Sequence, residues 1–171
     1  MTKTKKEMMA LVGACTQEMD NFLVPSSLNE EFNKVITKKF NIFNNDELET
    51  YDLIIEENPT DLIKVYKKLN EKGIYITTAK SLIDRDLFAS LSKLFYIVMP
   101  YYYIEDNGKI ESLVFASKEI HPTADLIRHR SDFVKDTYYY HTDIHLASFV
   151  LPKNIFNKIK DVIKLWSLKM Q

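Results

Sequence analysis

The chain has 171 residues, 46% of them hydrophobic and 27% charged, enough for one ordinary domain with a core of its own. Its 23 basic and 24 acidic residues leave a formal charge of −1, so no long-range field draws it to nucleic acid. Three glycines cannot build a glycine-rich phosphate loop, a single cysteine allows neither a disulfide framework nor a CxxC metal site, and no stretch reaches membrane-spanning length. A reduced, cytoplasmic setting fits this composition. The basic N-terminus leads into a short apolar run, but Glu7 interrupts it and Glu18 and Asp20 follow, unlike a signal peptide.

Taken in order, Met8, Met9, Leu11 and Val12 recur at helical spacing within residues 6–15, with Gly13 near the end. Residues 21–27 (NFLVPSS) form a short apolar strand stopped by Pro25. Ser27 and Glu30 then have capping-box spacing for a helix whose apolar face carries Phe32, Val35 and Ile36. Residues 40–43 give a second strand and 51–55 (YDLII) a third, ending on Glu56 and Glu57. Residues 60–72 read as an amphipathic helix capped by Thr60 and stopped by Gly73. A strand over 73–79 and a helix over 82–94 come next. Residues 95–104 form a long strand that Pro100 confines to an edge or a bulge. Asp106-Asn107-Gly108 is a turn, and 112–117 return antiparallel. Thr142 caps a short helix that starts near Asp143 and stops at Pro152. Residues 153–171 form a C-terminal packing helix with Ile155, Phe156, Ile159, Val162, Ile163 and Trp166 inward; with Trp166 and Met170 exposed, the same stripe would bind a partner. This alternation, closed by a hairpin, predicts an α/β fold with an open, mostly parallel sheet.

The densest chemistry lies in residues 138–153, YYYHTDIHLASFVLPK. Three tyrosines precede a helix start, where their hydroxyls would form a polar corner with an aromatic wall. The same residues also fit a half-buried strand end with routine packing. His141 and His145 are four apart, but no third ligand is evident and no metal site is predicted. Glu56 and Glu57 sit where a carboxylate can orient an amine nucleophile and accept its proton, and equally where two acids face water. Asp46, Glu47 and Glu49 read as a solvated loop, His121 beside Pro122 as a turn residue, and Arg128, His129 and Arg130 as a solvated helix face.

The run 138–153 resembles the C-terminal signature of spermidine synthases, the polyamine aminopropyltransferase family, roughly Y-Y-N-x-x-[IV]-H-x-[AS]-[FA]-x-L-P. Tyr139, Tyr140, His145 and Ala147 fit it in register, Phe149, Leu151 and Pro152 follow one position later, and His141 stands where the family usually has Asn. The likeness extends through FYIVMPYYY, ESLVFASKEIHP, YDLII and KKEMMALVGACT, and through His121-Pro122 with Asp125-Leu126. In the family pattern Y-x-E-M-x-x-H, Glu7 and Met8 match, while Lys5 and Leu11 replace the Tyr and His. VPSS stands for the glycine-rich loop, and Glu56-Glu57-Asn58-Pro59 for D-S-S-D-P. Only residues 44–50 stand where the family has a ribose-binding acid and a further strand and helix.

The resemblance implies a Rossmann-like, class I methyltransferase-type sheet over 1–171, truncated in the cofactor half and without the family's N-terminal β-domain. It implies aminopropyl transfer from decarboxylated S-adenosylmethionine to putrescine, giving spermidine and methylthioadenosine, with no prosthetic group and a homodimeric assembly. Glu56 or Glu57 would orient the amine. Tyr140 with Tyr139 would bind the diamine, and His145 would support that wall. Ser26, Ser27 and Glu7 would border the nucleoside. The departures also fit a catalytically inactive paralogue acting as a binding or structural subunit.

Overall fold

A computed structural model of the chain describes residues 1–165. Its elements are α1 (Lys3–Ala14), β1 (Asn21–Leu23), a 3-10 helix (Ser26–Lys34), β2 (Asn41–Phe43), β3 (Tyr51–Glu56), α2 (Leu62–Lys68) and β4 (Leu69–Ala79). There follow α3 (Arg85–Ser92), β5 (Ile97–Ile104), β6 (Ile110–Ser117), α4 (Arg128–Ser131), α5 (Thr142–Ala147) and α6 (Lys153–Ile159). The strands form one sheet in the order β2-β1-β3-β4-β6-β5. Its β2/β1, β1/β3 and β3/β4 pairs are parallel, and β6 runs antiparallel to both β4 and β5. The predicted α/β class, parallel sheet and closing hairpin are all present. Chain order reverses between β1 and β3, so the topological switch point lies at the carboxyl ends of those two strands, Leu23 and Glu56.

Each face of the sheet carries its own core. On one side α1 packs with the 3-10 helix and α5 over Leu53, Ile55, Ile74, Ile76, Tyr101 and Phe115. On the other, α2, α3 and α6 cover Ile54, Tyr75, Val98, Val114 and Ala116. The alternation Leu53/Ile54/Ile55 is the period-2 signature of a strand buried on both faces. Gly13 is required where α1 crosses the sheet: a Cβ there would lie 2.8 Å from a Leu53 methyl and 3.2 Å from Ile76. Gly108 supplies the left-handed residue of the hairpin turn, at φ 84°.

β5 is an edge strand, as Pro100 predicts. Its outward N–H groups are taken by the C-terminal third of the chain: Val98 N by Lys164 O (2.9 Å), Tyr102 N by Ser148 O (3.2 Å) and Ile104 N by the Tyr139 hydroxyl (3.0 Å). Pro100 falls in the same outward-facing set, where a missing N–H costs no ladder bond.

Several boundaries differ from expectation: α5 is capped by His141 rather than Thr142 and ends at Ala147, and Gly73, expected to stop a helix, lies inside β4. The segment after β1 is a 3-10 helix whose N-cap is Pro25, with no side-chain cap, so the Ser27–Glu30 capping box does not form. α2 is shorter than residues 60–72, because Leu69 leaves the helix to pair with Tyr51; Asp61 rather than Thr60 caps it. The helix expected over 153–171 ends at Ile159, and by Lys164 the chain is extended and bridged to Val98. Trp166 and Met170 lie outside the described residues.

Candidate functional site at the carboxyl edge

The tyrosine run is organised by a residue more than 130 positions away. Glu7, on α1, is completely buried. Its carboxylate accepts from three successive backbone N–H groups: Tyr138 (2.6 Å), Tyr139 (2.8 Å) and Tyr140 (2.8 Å). The Lys34 ammonium donates to the same carboxylate at 3.0 Å and to Glu31 at 2.8 Å. Burial alone would raise the Glu7 pKa, but the three N–H groups and Lys34 together lower it. The converging N–H groups form an anion nest, and Asp136, at φ 58°, turns the chain into it.

From this anchored backbone the three side chains diverge. Tyr138 is more than half exposed; its hydroxyl donates to Asp106 at 2.8 Å, and the Lys3 ammonium lies 5.5 Å from its ring centroid. Tyr139 is half-buried, with its hydroxyl on Ile104 N. Tyr140 is 1% exposed, and its hydroxyl lies 2.6 Å from His145 Nδ1. His145 Nε2 lies 2.8 Å from the Pro122 carbonyl, which only accepts, so Nε2 carries the proton and Nδ1 accepts from Tyr140. Burial lowers the His145 pKa to about 4, the Pro122 bond opposing it, so the ring is neutral near pH 7. Tyr140 is thus not presented to an open cleft: its ring is sealed and its hydroxyl is taken. His141 is the N-cap of α5, its Nδ1 accepting from Asp143 N at 3.2 Å, which is the work an Asn side-chain oxygen does at that position.

At the switch point the chemistry is different. Ser26 and Ser27 are exposed at the start of the 3-10 helix. Beside them Asn29 and Asn44 exchange reciprocal amide bonds (2.9 and 2.8 Å), and Asn44 also donates to the Val24 carbonyl at 3.0 Å. This amide pair ties the end of β2 to the 3-10 helix. Asp46 is paired with Lys68 at 2.9 Å and accepts from Tyr51, so it belongs to the packing of the β2–β3 loop.

Glu56 lies on the opposite face of the sheet from the tyrosine corner. It follows the inward pattern of Ile54, and its carboxylate accepts from the Tyr75 hydroxyl at 2.6 Å and from Thr60 at 2.7 Å. Burial, then the adjacent Glu56 carboxylate, raise the Tyr75 pKa. Glu57, the next residue, is exposed in a bend just past the strand.

A cleft of about 610 Å³ lies between the first turns of α1, the 3-10 helix and the chain entering the corner; Lys3, Lys6, Glu31, Lys34, Asp136 and Tyr138 are among its lining residues. Of the tyrosine run only Tyr138 reaches it, and neither Glu56 nor Glu57 does. Tyr140 borders a second, polar hollow of about 310 Å³ with Asp132 and His141. The structure therefore brings together Glu7, Tyr138, Tyr139, Tyr140 and His145, and leaves Ser26, Ser27, Glu56 and Glu57 outside that group. Lys34 and the Asn29–Asn44 pair escaped sequence reasoning, since nothing local marks them. Glu7 carried a signal of another kind: a lone acid heading an otherwise apolar helix face. Arg130, expected on a solvated face, is buried and donates to the Ala14 carbonyl at 3.0 Å and to the Gln17 carbonyl, closing the C-terminal end of α1. No group of three His, Cys, Asp or Glu residues among the described residues could hold a metal ion, and no described helix is long and apolar enough to cross a membrane.

No family model matches the chain. It is 32% identical over 126 residues to the polyamine aminopropyltransferase of Helicobacter acinonychis (strain Sheeba) and 31% identical to that of Helicobacter pylori (strain P12). Each alignment covers 69% of this chain and 48% of the relative, so the chain spans about half the length of the curated relatives it matches. Among solved structures it is similar to the spermidine synthase of Thermotoga maritima, with a TM-score of 0.75 at 18% identity, over 92% of this chain and 74% of that one. A spermidine synthase in complex with the transition-state analogue AdoDATO gives the same values. At such identity the structural likeness speaks for the fold.

Proposed function

We propose that the chain, which is similar over 126 residues to polyamine aminopropyltransferases, takes part in aminopropyl transfer from decarboxylated S-adenosylmethionine to putrescine. The amine lone pair attacks the methylene beside the sulfonium, the carbon–sulfur bond breaks with its electrons going to sulfur, and the amine loses one proton. Methylthioadenosine and spermidine result. Glu57, exposed just past the carboxyl end of β3, is the carboxylate for orienting the amine; Glu56 is committed to Tyr75 and Thr60. Tyr139 supplies the wall at the carboxyl end of β5, and Tyr140 with His145 stiffens it from behind. Ser26 and Ser27 border the nucleoside side. The observation that supports the proposal is the Glu7-anchored tyrosine corner, with Tyr138 lining the 610 Å³ cleft and Tyr139 at the carboxyl end of β5.

A second reading has its own observation. The Asn29–Asn44 pair and the Val24-Pro25 turn stand where a nucleoside would approach the backbone, and Glu56 faces away from the corner. These favour a catalytically silent relative acting as a binding or structural subunit. Isothermal titration of the purified protein separates the two. Micromolar binding of decarboxylated S-adenosylmethionine or methylthioadenosine supports the transferase; no heat at millimolar ligand leaves the silent relative.

A further inference from the structure

We propose that Glu7 is the positioning residue of the tyrosine corner and that Lys34 turns it into a latch joining that corner to the 3-10 helix after β1. What the corner binds rests on the reading above; the latch rests on geometry alone. One carboxylate accepts four hydrogen bonds, at 2.6, 2.8, 2.8 and 3.0 Å, from the backbone of Tyr138, Tyr139 and Tyr140 and from Lys34. The three rings go to three different partners, Asp106, Ile104 N and His145, so the aim of every phenol depends on how this short backbone is held. The nest is filled by the chain's own anion and needs no ligand to order it.

Lys34 ends the 3-10 helix, which begins directly after β1 at the switch point, and its ammonium is shared between Glu7 and Glu31. Glu31, Lys34 and Tyr138 all line the 610 Å³ cleft. The far end of the 3-10 helix that Ser26 and Ser27 begin and the tyrosine corner therefore meet on one charge cluster, with Glu7 on the inside and Lys34, 21% exposed, on the outside. Displacing one strains the other.

Amide hydrogen exchange on the whole protein tests this without requiring turnover. With Glu7→Gln, which keeps the shape and removes the charge, the amides of residues 138–140 are expected to exchange about tenfold faster while those of β3 to β6 are unchanged. With Lys34→Met, both the corner and residues 26–34 are expected to exchange about threefold faster, and Lys34→Arg restores them. Unchanged exchange at the corner in Glu7→Gln, or equal acceleration throughout the molecule, overturns the positioning role. If Glu7→Gln does not fold, the lysine pair decides, and Lys34→Met indistinguishable from the natural protein overturns the latch. Where the protein turns over putrescine, Glu7→Gln is expected to raise KM for the amine more than KM for the sulfonium substrate; equal changes contradict positioning. Absence of turnover in the natural protein counts against the transferase reading and leaves the exchange result standing.

Discussion

The tyrosine corner and the switch point occupy the same edge of one sheet and are closed by opposite means. The corner is sealed from within: a buried anion in a backbone nest, a buried Tyr140–His145–Pro122 chain, and Phe149 stacked on Tyr101 at 4.6 Å. The switch point is closed from outside, by an amide pair near the surface and a proline turn. Tyr140, His145 and Phe149, which match the family signature, are buried parts of the core here, while the departures gather where only a ligand would need particular residues. A retained motif of this kind is evidence for a fold before it is evidence for an activity.

Acid titration should break the comparison most strongly, because the corner holds two buried groups, His145 and Glu7, whose pKa values are lowered. The folded His145 pKa, about 4, lies below its ordinary 6.5, so the unfolded chain takes up the proton first as pH falls. Between pH 6.5 and pH 4 this group should lower stability by on the order of 3 kcal/mol in total. Glu7, with its pKa lowered, adds a loss at lower pH, as the medium passes through its folded value. Urea denaturation at pH 7 and pH 4.5 measures this, and His145→Gln should reduce the slope between pH 6.5 and 4, leaving the part due to His121, whose pKa burial also lowers.

Tyr140→Phe is the next largest change. It leaves a buried imidazole acceptor without its donor and should cost about 1–3 kcal/mol in thermal or urea unfolding. Because the ring is sealed, the loss should appear in stability and leave any amine preference unchanged. A selective loss of amine binding would instead mean that the corner opens toward the 310 Å³ hollow.

Asn44→Ala should be the mildest, about 1 kcal/mol, since the amide pair is largely solvated. Its value is diagnostic. If the pair obstructs a nucleoside site, methylthioadenosine should bind more tightly to the variant than to the natural protein; weaker binding would assign the two asparagines to the site itself.

Much of the architecture was legible along the chain. Pro100 placed β5 at an edge, Gly108 marked the hairpin, and the apolar runs at 51–55 and 73–79 became central strands. The site was legible only in part. Residues 138–145 stood out as a cluster of side chains, but the sequence order suggested that they faced a ligand, whereas Tyr140 and His145 satisfy each other. Glu56 and Glu57 could not be told apart until the pleat of β3 turned Glu56 toward Tyr75.

By itself the sequence determined the order of strands and helices, the two-faced apolar sheet and the closing hairpin, because propensity and periodicity act over a few residues. Only the tertiary structure decided which charge goes with which partner. Glu7 and Glu56 are alike as isolated acids, yet one is enclosed by a backbone nest contributed from the far end of the chain and the other leans on a neighbouring strand. A buried carboxylate is stabilised by whatever donors the completed packing brings within about 3 Å, and no local pattern specifies those.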